Sequence, residues 1–347
     1  MLFDPGSEGL LCSHCGNKKD LPAASDMVIE RSFSEAFSLA ATAQGFSVET
    51  KTFHCNNCGA NTAVDPDEVS FECPFCASTN VNQEAHQNKV VRPSGILPFK
   101  ITKDKALESF KNWIGKGFFR PRKLSRLAAL DKINSVYLPF WTYDAHTASN
   151  WTAEAGYHYY VTESYTDSDG NSQTRQVQKT RWEPVNGYYE HDFDDVLVLG
   201  SHGLKQKEID RIGPYDLEGV LNYDSRYILG HEAEVYQMDV QEGYKVADDI
   251  MDKMIYAQIG GRVPGDTHRN LRINTRKSGI TFKHILLPLW IAAYQFKEKT
   301  YRFVVNGQSG KIWGKKPKSW TRIILTILIA AGIITALVLY FTLGKGD

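Results

Sequence analysis

Residues 55–76 read CNNCGANTAVDPDEVSFECPFC, which is two Cys-x-x-Cys pairs separated by fourteen residues. This spacing is typical of a zinc ribbon, in which each pair lies on a tight knuckle and the residues between them form a hairpin. Gly59 follows the first knuckle, where the turn needs a residue that tolerates a positive φ. Four thiolates complete a tetrahedral site, so the zinc is expected to be structural. The predicted ligands are Cys55, Cys58, Cys73 and Cys76.

Cys12 and Cys15 form a third pair, and the residues before it repeat the second half of that ribbon. FDPGSEGLLCSHC and VDPDEVSFECPFC both place Asp-Pro, then six residues, then Cys-x-x-Cys. Residues 1–20 therefore predict half of another ribbon, whose partner knuckle would fall 18 residues before Cys12 by the spacing of the intact one. Two thiolates alone hold zinc weakly, so a second zinc is expected only if other ligands are supplied.

The composition indicates a folded, cytoplasmic type of chain. The 347 residues carry 40 Lys and Arg against 40 Asp and Glu, and 12% are aromatic, which favours a packed globular protein over a disordered one. This balance provides no general attraction to nucleic acid. The first ten residues have neither a basic nor an apolar signal segment, so a reducing compartment and metal ligation are favoured over disulfides.

An apolar run near the other end predicts a membrane anchor. Residues 323–343 read IILTILIAAGIITALVLYFTL, 21 residues without a charge, which as a helix span about 31 Å, enough for the hydrocarbon core of a bilayer. Basic residues precede the run, so the positive-inside rule predicts a cytoplasmic N-terminal part and a single-pass, tail-anchored protein of the inner membrane. Trp320 and Arg322 are the predicted interfacial residues of a span over residues 322–343.

The remaining segments predict an α+β fold. Residues 21–50 are expected to contain a linker helix, with Phe33 and Phe37 on its apolar face, followed by the ribbon over residues 51–82. Residues 91–318 alternate helical patterns with β-rich ones and predict an antiparallel sheet domain with two long helices. VYLPFW and ILLPLW, which end at Trp141 and Trp290, suggest an internal repeat with halves of about 91–200 and 201–318.

No catalytic motif was recognised in this region. GQSGK at residues 307–311 lacks the spacing of a phosphate loop. DSDGNS at residues 167–172 lacks the glutamate and the glycine position of a calcium loop, so both segments are interpreted as turns. Histidines scattered through the middle of the chain and the acidic stretch YYEHDFDD at residues 188–195 are interpreted as structural or solvated. An enzyme is therefore not expected.

Taken together, the cysteine knuckles, SGILPFKI, VYLPFWTYDAHT, VNGQSGK and the apolar tail resemble a family of bacterial membrane-anchored proteins with a TFIIB-type zinc ribbon, the YdjG-like proteins. Its members are often labelled primosomal or replication-factor helicase-like. The label implies a motor, yet the chain lacks a phosphate loop and RecA-like repeats. The resemblance implies a non-enzymatic adaptor or scaffold that recruits SPFH (flotillin-like) or PspA-like partners in envelope maintenance and envelope stress. Family members usually carry two complete ribbons, so the N-terminal module here departs from that pattern.

Two other interpretations stay open from the sequence. The ribbon could bind nucleic acid, although residues 55–76 contain no Lys or Arg to contact phosphates. Residues 91–318 could also form an enzyme of unrecognised type. The sequence leaves the oligomeric state open.

Overall fold

The computed structural model describes residues 1–21, 28–36, 51–64, 72–84, 91–115, 133–168, 170–296 and 299–343. Within these residues the chain is α+β, as predicted. The strands are β1 (Leu2–Asp4), β2 (Gly9–Leu11), β3 (Lys18–Asp20), β4 (Arg31–Ser32), β5 (Lys51–Cys55), β6 (Asn61–Val64), β7 (Val81–Glu84), β8 (Gly95–Ile96), β9 (Asn134–Thr166), β10 (Ser172–Leu199), β11 (Leu221–Asn222), β12 (Glu232–Glu234), β13 (Thr267–Phe296), β14 (Lys299–Asn306) and β15 (Ile312–Gly314). The α-helices are α1 (Lys103–Gly115), α2 (Gln206–Ile212), α3 (Val240–Gly260) and α4 (Trp320–Leu343).

Two sheets contain these strands. A small antiparallel sheet has the order β1-β2-β3, and the large sheet follows the order β11-β8-β13-β9-β12-β6-β5-β7, with β10, β14, β15 and β4 pairing beside this path. The large sheet is mixed, because β12 pairs parallel with β9 and β8 pairs parallel with β13. The expectation of a purely antiparallel sheet was therefore wrong. Each parallel partner is separated from the other by a long stretch that contains a helix, as parallel pairing requires.

The two Leu-Pro strands lie side by side at the centre of the large sheet. Strands β9 and β13 pair antiparallel, with Leu138 directly opposite Leu287. The same hydrogen bonds recur on both sides of this point. Trp141 Nε1 donates to the carbonyl of Met238, just before α3, and Trp290 Nε1 donates to the carbonyl of Ile101, just before α1, each at 2.8 Å. Each of these two strands is thus bonded through its tryptophan to the segment just before a long helix.

Helix α3 packs on one face of β9, β10 and β13, and its sequence explains where it begins. The Asp239 carboxylate accepts hydrogen bonds from two first-turn amides, while Glu242 reaches back to the Asp239 amide, which completes a capping box. The buried face includes Met251, whereas Met254 is 45% exposed. Met251 faces the sheet because buried residues of α3 recur every four positions along the helix. These are Gly243, Ala247, Met251, Ile255 and Ile259.

Other local predictions changed where tertiary pairing competes with the local pattern. Within the segment expected to contain a linker helix, residues 31–32 form β4 against β13 and residues 33–35 form a 3-10 turn. Residues 37–50, where the rest of that helix would lie, are outside the described residues. The two segments interpreted as turns lie in hairpin connections of five residues each. Their positive φ angles fall at Gly170 and Gly310, and not at Gly307.

The C-terminal helix α4 is long and apolar enough to cross a membrane. Its window Trp320–Val338 is not buried against any other described part of the chain. At 24 residues the helix is about 36 Å long. Its length and composition are those of a membrane-spanning helix.

Candidate metal centre

Both cysteine pairs of residues 55–76 lie on knuckles of the same backbone geometry. In each, the amide of the first cysteine donates to the carbonyl five residues later, and the amide four residues later donates back to the cysteine carbonyl, at 2.8–3.0 Å. These bonds join Cys55 with Ala60 and Gly59, and Cys73 with Ser78 and Ala77. The residue that closes each turn has a positive φ, 79° at Gly59 and 57° at Ala77. Strands β5, β6 and β7 hold the first knuckle and the end of the second in one sheet.

The four sulfur atoms come together as a tetrahedral site requires. Their Sγ atoms all lie within 4.8 Å of one another, and the two cross pairs, Cys55 with Cys76 and Cys58 with Cys73, are each 3.6 Å apart. Four sulfurs bound about 2.3 Å from one zinc lie about 3.8 Å apart, whereas a disulfide needs about 2.05 Å. These residues therefore fit one thiophilic metal ion with no open position.

The thiols influence each other's pKa strongly. A hydrogen bond from the Cys73 thiol lowers the pKa of Cys58 to about 5. The same contact, together with burial, raises the pKa of Cys73, and burial raises the pKa of Cys76. Protons thus remain on some of these thiols at neutral pH unless a cation replaces them. Metal binding would release those protons, which makes metal affinity fall as the pH falls.

A buried carboxyl group lies on the strand that pairs with β6, next to the first cysteine knuckle. Glu234 of β12 pairs with Thr62 of β6, is fully buried, and its Oε2 atom has no hydrogen-bond partner among the described residues. Burial raises the pKa of Glu234 to about 8, although Ser201 and Gln237 hydrogen-bond to it and oppose this change. The group is therefore neutral at pH 7. A neutral carboxyl adds no negative charge beside the cysteines, and the sequence pattern did not indicate it.

Arg302 links the second cysteine knuckle to the rest of the domain. Its Nη1 atom donates to the carbonyl oxygens of Gly203, at 2.7 Å, and of Phe75, at 3.4 Å, inside the second knuckle. Its Nη2 atom lies 2.7 Å from the buried Glu208 carboxylate. A Cβ on Gly203 would lie 3.0 Å from Ala60 and 3.1 Å from the Phe75 ring, so this close approach needs a glycine. Sequence reasoning missed this contact because Arg302 is 227 residues from Phe75.

Cys12 and Cys15 lie on a third knuckle, on the small N-terminal sheet. Cys12 is partly exposed and Cys15 is exposed. The backbone amides of Cys15 and His14 lower the pKa of the Cys12 thiol. Neither cysteine belongs to a group of three or more potential metal ligands in the described part of the chain. The pair therefore lies on a knuckle without further potential ligands among the described residues, and its role as half of a metal site stays a prediction.

A second cluster of potential ligands involves Asp144, Asp194 and Asp195, whose carboxylates lie within 4.8 Å of one another. Lys283 Nζ lies 2.7 Å from Asp195 and supplies a cation there. Thr281 Oγ1 and the Asp195 amide donate to Asp144. The acidic stretch at residues 188–195 therefore contributes to an ion-pair network. Asp144, which is far away in sequence, was not predicted to belong to it.

Three histidines of the middle region contact other side chains. His146 bonds Asp192, His158 is 4.0 Å from Asp266, and the half-buried His231 stacks on Phe99. Among the described residues, neither group of potential metal ligands includes a histidine. The two residues predicted to lie at the membrane interface are both in the first turn of α4. Trp320 is 73% exposed and Arg322 is half-buried.

Comparison with known proteins gives one informative likeness. The chain is 26% identical over 322 residues to "Uncharacterized protein YdjG" of Bacillus subtilis (strain 168), an alignment that covers 77% of this chain and 90% of that protein. No protein-family model matches the chain, and no solved structure matches it. The likeness supports a relation to YdjG-like proteins over most of the chain.

Proposed function

We propose that the protein is a non-enzymatic scaffold, held at the cytoplasmic face of a bacterial inner membrane by α4, whose ribbon and sheet domain assemble with protein partners. The observation that carries the proposal is the combination of a closed four-cysteine centre with a long apolar helix that no described residue covers. A centre whose four ligand positions are all thiolates stabilises a fold and offers no position to a substrate. Zn²⁺ is the ion that suits this ligand set.

A projecting hairpin supports a role in binding proteins. Strand β13 pairs with β9 only as far as Gly156. Beyond that residue, within the described part of the chain, β9 and β10 pair only with each other, as a two-stranded hairpin that ends at the turn around Gly170. The β9 part from Tyr157 to Thr166 is about 34 Å long. A two-stranded hairpin is marginally stable by itself in water. A partner that pairs with it or covers it would stabilise it.

The side chains of this hairpin are those of an interaction surface. Tyr159, Tyr160 and Tyr165 are 46%, 65% and 44% exposed. Arg175 lies over the Tyr165 ring at 5.5 Å, and Arg181 over the Tyr157 ring at 5.7 Å. Tyrosine and arginine are enriched in protein interfaces because they combine a large apolar area with polar groups. We therefore assign partner binding to this hairpin.

The partner classes come from the family resemblance. The proposed topology places the hairpin on the cytoplasmic face, so a partner of either the SPFH (flotillin-like) or the PspA-like class would have to bind it there. A membrane anchor confines the protein to that face, which raises its local concentration toward a partner held there.

Affinity purification of the full chain from detergent-solubilised bacterial membranes, with quantitative identification of co-purifying proteins, tests this function. We expect a stable SPFH or PspA-like partner. The variant Tyr159→Ser/Tyr160→Ser/Tyr165→Ser should lose it. Tyr256→Ser is the matched control, since Tyr256 is 54% exposed on α3 and lies outside the hairpin.

Two results would contradict the proposal. Recovery of the full chain without any stoichiometric protein would oppose a scaffold role. Undiminished recovery of a partner with the triple tyrosine variant would remove the hairpin from that role. Salt-dependent binding of DNA by the purified full chain would favour the nucleic-acid alternative instead.

A further inference from the structure

The knuckle at Cys12 has the same backbone geometry as the two knuckles of the intact site. The Cys12 amide donates to the Asn17 carbonyl, and the Gly16 amide donates to the Cys12 carbonyl, each at 2.9 Å, which is the bonding pattern around Cys55 and Cys73. Gly16 has a φ of 71°, in the region occupied by Gly59 and Ala77. A knuckle of this geometry is already arranged to hold metal with two sulfurs.

The strands around the knuckle match as well. Leu11 pairs with Lys18 across the Cys12 knuckle, just as His54 pairs with Asn61 across the Cys55 knuckle, with the same offsets from the first cysteine. Strand β2 also pairs antiparallel with β1 on its other side, as β5 pairs with β7. The small sheet and the sheet β7-β5-β6 thus both place a cysteine knuckle between the central strand and one antiparallel neighbour, with a second antiparallel strand on the other side.

The module that carries this knuckle is fixed to the domain. Phe3 and Leu10 are 4% and 6% exposed, and the Phe3 amide donates to the Leu229 carbonyl at 2.8 Å. The Phe3 ring also packs against Tyr227 at a centroid distance of 5.1 Å. Cys15 remains exposed on the outer side. The two thiols are therefore presented to the surroundings on a rigid support.

The intact site shows how two knuckles share a metal. Its short contacts join the first cysteine of each pair with the second cysteine of the other, Cys55 with Cys76 and Cys58 with Cys73, both at 3.6 Å. This is an approximate two-fold arrangement of two equal knuckles. Two copies of one knuckle, brought together by a molecular two-fold axis, would give the same arrangement, and dimers with such an axis are the commonest oligomers.

We propose that Cys12 and Cys15 are half of a second metal site, which a second copy of this chain completes, so that one Zn²⁺ bridges two chains through four thiolates. On binding, the four thiols give up their protons to solvent and form four Zn–S bonds, and the site then carries two negative charges. The bridge is formed on the outer side of the N-terminal sheet. Confinement of both copies to one membrane by α4 raises their effective concentration for this contact.

The test uses the full chain in detergent, loaded with ZnCl₂ and desalted under a non-thiol reductant so that disulfide dimers cannot form. We expect about 1.5 Zn per chain, one in each intact site and one shared between two chains. Native mass spectrometry should show a dimer that dissociates when EDTA is added. The variant Cys12→Ser/Cys15→Ser should contain about 1.0 Zn per chain and be monomeric.

Two further variants keep the outcome decisive. His14→Ala lies between the two cysteines and should retain both the dimer and the zinc ratio, since its imidazole is not a ligand in this arrangement. Cys58→Ser/Cys76→Ser should lose the intact site but retain the bridging zinc. A monomer with about 1.0 Zn per chain would overturn the proposal. A monomer with about 2.0 would also overturn it, because the chain would then complete its own second site.

Discussion

Replacing Arg302 with alanine should loosen the ribbon from the domain. The guanidinium joins three groups that come from distant parts of the chain: the Phe75 carbonyl in the second knuckle, the Gly203 carbonyl, and the Glu208 carboxylate. Its side chain is 23% exposed, and that of Glu208 is 6% exposed. Arg302→Ala therefore leaves a nearly buried carboxylate without its cation and two carbonyls without a donor.

The magnitude follows from that burial. Breaking a fully buried ion pair by removing one partner costs about 3–5 kcal/mol, and the partial exposure of Arg302 lowers this to about 3 kcal/mol. This free energy corresponds to about a hundred-fold change in the equilibrium between docked and open ribbon. Arg302→Lys keeps the charge beside Glu208 but reaches fewer of the acceptors. Its effect on the equilibrium should therefore lie between that of the unchanged protein and that of Arg302→Ala.

Metal loss to a chromogenic chelator measures this opening directly in the full, zinc-loaded chain. We expect release about a hundred times faster for Arg302→Ala than for the unchanged protein, with a lower midpoint of denaturant unfolding followed by tryptophan fluorescence. Arg181→Ala is the control, because its pair with Glu183 is exposed at 68% and 46% and contributes about 0–1 kcal/mol. Release from Arg302→Ala within two-fold of the unchanged protein would refute the reasoning.

The other predictions concern the knuckles, a buried histidine and the packing of α3. Ala77→Gly should stabilise the metal-loaded ribbon by up to about 1 kcal/mol, and Gly59→Ala should destabilise it similarly, because both positions have positive φ; competition with a zinc chelator measures the change. Burial lowers the pKa of His284 to about 4 from 6.5, so the folded protein keeps it neutral and loses stability as pH falls through that window. His284→Asn should therefore lose about 2 kcal/mol less unfolding free energy between pH 7 and pH 5 than the unchanged protein does. Denaturant titrations at the two pH values measure this, and an equal loss in the two proteins would contradict it. Gly243→Ala should destabilise the fold by about 2 kcal/mol or more despite alanine's higher helix propensity, since the added Cβ would lie 2.5 Å from the Tyr143 hydroxyl oxygen; an unchanged or raised melting temperature would contradict it.

Features with local chemical causes were predictable. The cysteine spacing predicted four sulfurs that the structure brings within 4.8 Å of one another. The uncharged run predicted the apolar helix, whose observed start at Trp320 precedes the run by three residues. The apolar faces predicted two long helices, α1 and α3, although the buried face of α3 includes Met251 and not Met254. In each case the signal is contained within one segment of about twenty residues, so no knowledge of distant neighbours is needed.

Features that depend on which segments become neighbours were not predictable. Parallel pairing of β8 with β13 and of β12 with β9 joins residues that are more than 90 positions apart in the chain, and no local pattern specifies it. Residues 31–32 form a strand because the edge of β13 provides hydrogen-bond partners for their backbone. The sequence pattern of a single segment does not specify which distant strand will pair with it.

The sequence by itself determined the cluster of four cysteines, the apolar helix and the α+β class, because spacing and periodicity encode them directly. Only the tertiary structure decided that Arg302 links the second knuckle to the rest of the domain, that Glu234 lies neutral next to the first knuckle, and that the N-terminal knuckle is docked with its thiols outward. These depend on burial and on contacts between residues far apart in the chain. Burial sets the cost of a charge and the value of an ion pair, and burial exists only once the chain has folded.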